Sequence, residues 1–161
     1  MSEETEKQLV YLLDTNVLID LALWLPIDIY QKTWSQIEDA LQKQKWLLLD
    51  VVVAEIRGGK LKDWCKAQKT NGFVSKLGAN ERSRGVDINN TYQMIDTITQ
   101  KSTVDTYLVA YAERNGLTIF TREAQRKNPQ ELYKIPEVCD LLNVKFTRNP
   151  KDFYRHIVLS S

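Results

Sequence analysis

Residues 11–20 read YLLDTNVLID. An apolar run ends abruptly at Asp14, passes through Thr15 and Asn16, and turns apolar again at Val17. Leu9–Leu13 is short, apolar and closed by a polar corner, the pattern of a buried strand. A helix follows from about Thr15 to Leu23, which makes Asp14 the strand-to-helix corner. A near echo lies at residues 47–56, LLLDVVVAEI, with Asp50 at its corner and Glu55 one turn on. These acids either cap helices or do chemistry.

The same alternation continues along the chain. Helices are expected over about 29–44, from Val51 to Arg57, over 61–69, 87–99 and 103–115, and at 136–142 and 150–158. Strands are expected at 46–49, 117–120 and 144–147. Residues 70–85, TNGFVSKLGANERSRG, read as a mobile or loosely ordered connection. Strands alternating with helices imply an α/β domain with a mainly parallel sheet and helices on both faces. Such sheets bind ligands outside the carboxyl ends of their strands. One domain over 9–161 is expected, after a short polar lead-in over 1–8.

Composition narrows the chemistry. The chain has 161 residues, 43% hydrophobic and 27% charged, with net charge +1. It has no apolar run long enough to span a bilayer, and the acidic MSEETEKQ start is not a secretory signal. A cytosolic location is expected, with Cys65 and Cys139 as reduced packing residues. The single histidine, His156, excludes a histidine-rich metal site. Trp24, Trp34 and Trp64 are expected in the core. Net charge does not advertise nucleic acid, but RGGKLKDWCKAQK at 57–69 and REAQRK at 122–127 are locally basic. They are either solvated helix faces or a phosphate-tracking rim.

Each acid has an ordinary reading. Asp14 could be an N-cap, yet Thr15 or Asn16 would serve equally. A carboxylate after an apolar run is partly desolvated, which is costly unless something positive binds there. Ser102-Thr-Val-Asp105 has capping-box spacing, and a first-turn acid suits the helix dipole. Glu55 and Glu123 carry little signal alone. Together, Asp14, Glu55, Asp105 and Glu123 all fall near the carboxyl edge of the expected sheet. Carboxylates converging there would repel one another unless a divalent cation neutralised them. Hard oxygen donors without histidine or thiolate suit Mg²⁺ or Mn²⁺.

This combination resembles the PIN domain, the metal-dependent nuclease fold of VapC-type toxins. YLLDTNVLID is similar to its opening motif, VVVAEI to the helix bearing its glutamate, and VDTYLVAYAERNGLTIFT to its central segment. IFTRE resembles the strand followed by Thr-x-Asp, with Glu123 replacing the usual Asp. Spacing and the KIPEVC segment resemble the DUF4411 branch of PIN-like proteins.

The resemblance implies catalytic roles for Asp14, Glu55, Asp105 and Glu123, with metal held by Asp14, Asp105 and Glu123. Thr15, Asn16 and Thr121 would support them, with Asn16 ordering the corner by hydrogen bonding. Arg57, Lys60, Lys62 and Arg122 would hold the RNA backbone, and Asp50 could add an acid at the rim. The implied activity is endoribonuclease cleavage by the toxin of a type II toxin–antitoxin pair. Its partners would be RNA, a cognate antitoxin and a second copy in a homodimer, with no membrane. The alternative is a catalytically silent PIN-like module that binds RNA or protein. A dehalogenase-type phosphatase needs an acid where Asn16 stands, and a nucleotide-binding fold needs glycines that DTNVL lacks.

Overall fold

The computed structural model describes residues 9–160, without the side chains of 153 and 158–160. The lead-in expected over 1–8 lies outside the described residues. The chain runs β1 (Tyr11–Leu13), α1 (Thr15–Trp24), α2 (Gln31–Gln42), β2 (Trp46–Leu47), α3 (Asp50–Glu55), α4 (Gly59–Thr70) and α5 (Ala79–Thr91). It continues through α6 (Thr103–Asn115), β3 (Thr118–Phe120), α7 (Ile135–Leu142), β4 (Lys145–Thr147) and α8 (Pro150–Ser160).

The strands form one sheet in the order β2-β1-β3-β4, with every pair parallel. All three residues of β1 and of β3 are buried. Successive strand side chains point to opposite faces, so both faces of the central pair are covered. The α/β architecture expected from the alternation is therefore the one observed. All strands share one direction, so their carboxyl ends form one edge. Asp14, Asp50 and Thr121 stand at that edge.

Residues 70–85 depart from expectation, because they are built into the fold. Ser75 bridges to Leu49 in parallel, its N–H donating to the Leu48 carbonyl at 2.8 Å. Asp50 secures this strap. Its Oδ1 accepts from the N–H of Val51 at 2.9 Å and of Leu77 at 3.1 Å. Asp50 is thus a structural acid rather than an extra group at the rim.

Helix α5 begins at Ala79, eight residues ahead of the expected 87–99 helix. Gly85, which ends the stretch expected to be loosely ordered, is a packing point inside α5. A Cβ there would lie 2.8 Å from Cδ1 of Tyr107, so only glycine lets α5 approach the first turns of α6 this closely. The helix stops where Asn89 turns its side-chain oxygen onto the N–H groups of Met94 and Ile95, both at 2.9 Å. Residues 96–100 form a turn instead, with the Asp96 carboxylate accepting from Ile98 and Thr99.

Trp34 and Trp64 are core residues in edge-to-face contact, as expected, but Trp24 is 75% exposed. It projects from the last turn of α1 beyond the core-facing residues of that helix. His156 has a packing role. It accepts a hydrogen bond from Trp46 Nε1 at 2.6 Å on Nδ1, stacks on that ring and meets Tyr11 edge-on. Burial lowers its pKa, so the neutral ring that this bond requires is favoured. Cys65 and Cys139 are free and buried. Among the described residues no helix is long and apolar enough to cross a membrane.

Candidate metal centre

The corner acids can now be separated into those that cap and those that do not. Asp14 occupies the N-cap position of α1 in extended backbone, yet makes no side-chain capping bond. Its carboxylate, in a residue 2% exposed, instead accepts a hydrogen bond from Thr121 Oγ1 at 2.7 Å. The capping box expected at Ser102–Asp105 does not form. Ser102 is left-handed, with φ 70°, and gives α6 no side-chain cap. Asp105 sits in the first turn of α6, hydrogen-bonded to the Ser102 side chain and near enough for the charges of Glu123 and Asp14 to act on it.

Thr121 links the two central strand ends. Besides donating to Asp14, its oxygen accepts from the Glu123 N–H at 3.0 Å. That bond bends the chain after β3 so that Glu123 turns back over the sheet edge. One Glu123 oxygen then accepts from the Ile135 N–H at 3.0 Å, at the start of α7. Glutamate in place of aspartate thus reaches the start of the next helix. Glu55 ends α3 and is exposed. Thr15 Oγ1 donates to its Oε2 at 2.5 Å, tying α3 to the start of α1.

Electrostatics shows that the four acids face a common region. The Asp14 carboxyl is pushed from 3.8 up to about 6, mainly by burial, and further by the charges of Glu123 and Glu55. The hydroxyl of Thr121 and the N–H of Thr15 pull it back. Asp105 is raised well above the ordinary carboxyl value, first by burial, then by Glu123 and Asp14. Glu123 is raised by burial, with the Ile135 N–H and the charge of Lys134 opposing. Among the described residues none of the four forms an ion pair with lysine or arginine. Buried carboxylates without a basic partner leave negative charge uncompensated.

Carboxylate oxygens are the donor type that suits a hard divalent cation. Asp14, Asp105 and Glu123 would hold it, with Glu55 at the margin. Among the described residues no three acids stand close enough to make a closed cage for an ion. Mg²⁺ tolerates this, since it usually keeps several waters and takes one or two carboxylates.

The supporting and basic residues divide. Thr15 and Thr121 make the bonds that position acids. Asn16 is exposed, and among the described residues its side chain makes no hydrogen bond, so it does not order the corner as expected. Lys60 is paired with Asp28 at 2.7 Å. Lys62 donates to the Val53 carbonyl at 2.9 Å, securing α4 on α3. Arg122 lies 3.4 Å from Asp20 and donates to the Arg148 carbonyl at 3.3 Å. Only Arg57, among the four expected phosphate holders, is exposed with no such partner among the described residues. Lys134, not among the basic residues expected from sequence to act here, stands at the N-cap of α7, where its charge acts on Glu123.

Comparison with known proteins gives one family and one distant structure. A family model described as a domain of unknown function, DUF4411, matches residues 11–157. No curated protein matches the chain. Among solved structures, a chain from "Crystal Structure of FitAcB from Neisseria gonorrhoeae" is similar at 18% identity. That alignment covers 88% of this chain and 99% of the other, with a TM-score of 0.48.

Proposed function

The chain belongs to the DUF4411 family, and we propose that it is a Mg²⁺- or Mn²⁺-dependent endoribonuclease, the toxin of a type II toxin–antitoxin pair. The observation that carries this reading is the set of acids. Asp14 makes no capping bond, the charges of Glu123 and Asp14 raise the proton affinity of Asp105, and among the described residues neither forms an ion pair with lysine or arginine. The PIN-like opening motif supports the same reading.

A bound divalent cation would supply a polarised water and stabilise charge on phosphorus. The chain's own residues do the rest. Thr121 fixes the orientation of Asp14, and Thr15 fixes Glu55. Glu55, held at the exposed margin, orients the attacking water. In hydrolysis the water oxygen bonds to phosphorus and passes its proton to a carboxylate, one ester P–O bond breaks, and the departing oxygen takes up a proton from solvent to leave as a hydroxyl. A cognate antitoxin would cover the acids, and a homodimer in the cytoplasm is the working assembly.

The second reading is a catalytically silent binding module. Two observations favour it: the lack of a closed three-acid cage among the described residues, and the Glu123 oxygen already taken by Ile135. Incubating the purified protein with a mixed small-RNA pool separates the two. Cleavage with Mg²⁺ or Mn²⁺ is expected, abolished by chelator and restored by added metal. No cleavage under any of these conditions would favour the silent module, and cleavage indifferent to chelator would overturn the metal-dependent mechanism.

A further inference from the structure

Beside the acids, a cleft of about 450 Å³ opens between the 94–102 turn and the 130–134 segment. That size is within the roughly 300–1,000 Å³ typical of ligand sites. Glu123 itself forms part of the wall, along with Ser102, Lys101, Gln130, Tyr133 and Lys134. The cleft and the acid centre therefore share a residue.

The charges in the cleft are arranged unevenly. Asp96 and Glu131 also reach its wall. The Asp96 carboxylate is directed at the N–H groups of Ile98 and Thr99, and Glu131 accepts from the Lys127 N–H and the Asn128 side chain. Lys101 and Lys134 form no ion pair among the described residues, although the charge of Lys101 also acts on Asp96. Lys134 lies near enough for its charge to act on Glu123. The four basic residues expected from sequence to hold RNA do not line this cleft, and three of them are occupied elsewhere.

We propose that Lys101 and Lys134 hold the backbone phosphate next to the scissile one, so that single-stranded RNA leaves the acid centre through this cleft. The inference rests on the ribonuclease reading. Its chemistry is that of a phosphodiester anion held by two ammonium groups, with Ser102 and Gln130 available for sugar or base polar groups. Placing cations one nucleotide from the acids would offset the repulsion that an acidic centre exerts on its own substrate.

The test uses the full chain with Lys101→Gln and Lys134→Gln combined. Binding of a fluorescent single-stranded oligoribonucleotide is measured against salt in chelator, where no cleavage interferes. Removing two phosphate contacts is expected to flatten the slope of log K against log[salt] by about 1.4. In Mg²⁺ the variant should show a KM raised about tenfold, with kcat within about twofold of wild type, the pattern of lost uniform binding. An unchanged salt slope would overturn the proposal whether or not the protein cleaves RNA. An altered slope in a protein that never cleaves would keep the RNA cleft and discard the nuclease. If RNA binding is unchanged while a hexaglutamate peptide loses affinity, the lysines serve an acidic protein segment and the proposal falls.

Discussion

Asp14→Asn protein is expected to lose RNA cleavage by on the order of a thousandfold, the upper range for removing one electrostatic stabiliser, and to be more stable than wild type without metal. The two effects have one origin. Asp14 is 2% exposed, and burial raises its carboxyl from 3.8 to about 6. A carboxyl raised on folding favours the folded state below its unfolded pKa. That advantage is lost as pH rises through the folded value. Above about pH 6, folding must therefore keep a charged carboxylate in a site that disfavours it, at a cost of about 3 kcal/mol. Asparagine removes the charge and still accepts from Thr121. Metal-free melting curves between pH 4 and 8 check this. The variant should gain most at pH 7.5, and the gap should narrow towards pH 4. A variant less stable than wild type at pH 7.5 would show that the Asp14 charge is compensated within the protein.

Thr121→Val is the second large effect. The change is close to isosteric at a residue with no exposure, so packing is preserved and two hydrogen bonds are not. Asp14 loses its 2.7 Å donor, and the Glu123 N–H loses its 3.0 Å acceptor. A hydrogen bond to a charged group together with an orphaned N–H amounts to about 2–4 kcal/mol of stability. Loss of an outer bond that orients a metal-binding carboxylate costs about 10–100-fold in activity or metal affinity. Urea denaturation and kcat measured together test both parts. Thr121→Ser, which keeps the hydroxyl, should restore activity. Wild-type cleavage by Thr121→Val would mean that Asp14 needs no such fixing.

Much of the frame was legible because it is local. The apolar run into Asp14 defines β1 and the α1 corner, and the stripe through Val104, Leu108 and Ala112 with Gly116 behind it gives α6 its observed limits. Pro136 and Pro150 mark helix starts for the same reason. What failed was non-local. Gly85 fell in a stretch expected to be loosely ordered because its reason, the Tyr107 ring, is on another helix. The strap at Ser75 is set by pairing with Leu48 and Leu49 rather than by its own residues.

The acids divide in the same way. Asp50 and Asp105 have similar local credentials as caps, and only the tertiary fold shows that the first binds backbone N–H groups while the charges of other acids act on the second. Lysine roles were the least legible. Lys60 and Lys62 sit in a basic run, yet Asp28 and the Val53 carbonyl claim them. Lys134 lies in no basic run, and its place beside Glu123 depends on where α7 begins.

The account depends on Asp14, Asp105 and Glu123 binding one or more divalent cations. Calorimetric titration of Mn²⁺ into the metal-free protein at pH 7.5, with Asp14→Asn titrated in parallel, tests that most directly. Saturable binding by wild type is expected, with proton release that grows as the pH is lowered towards 6, and with at least about tenfold weaker binding by the variant. No binding by wild type, or equal binding by both proteins, would contradict the metal centre.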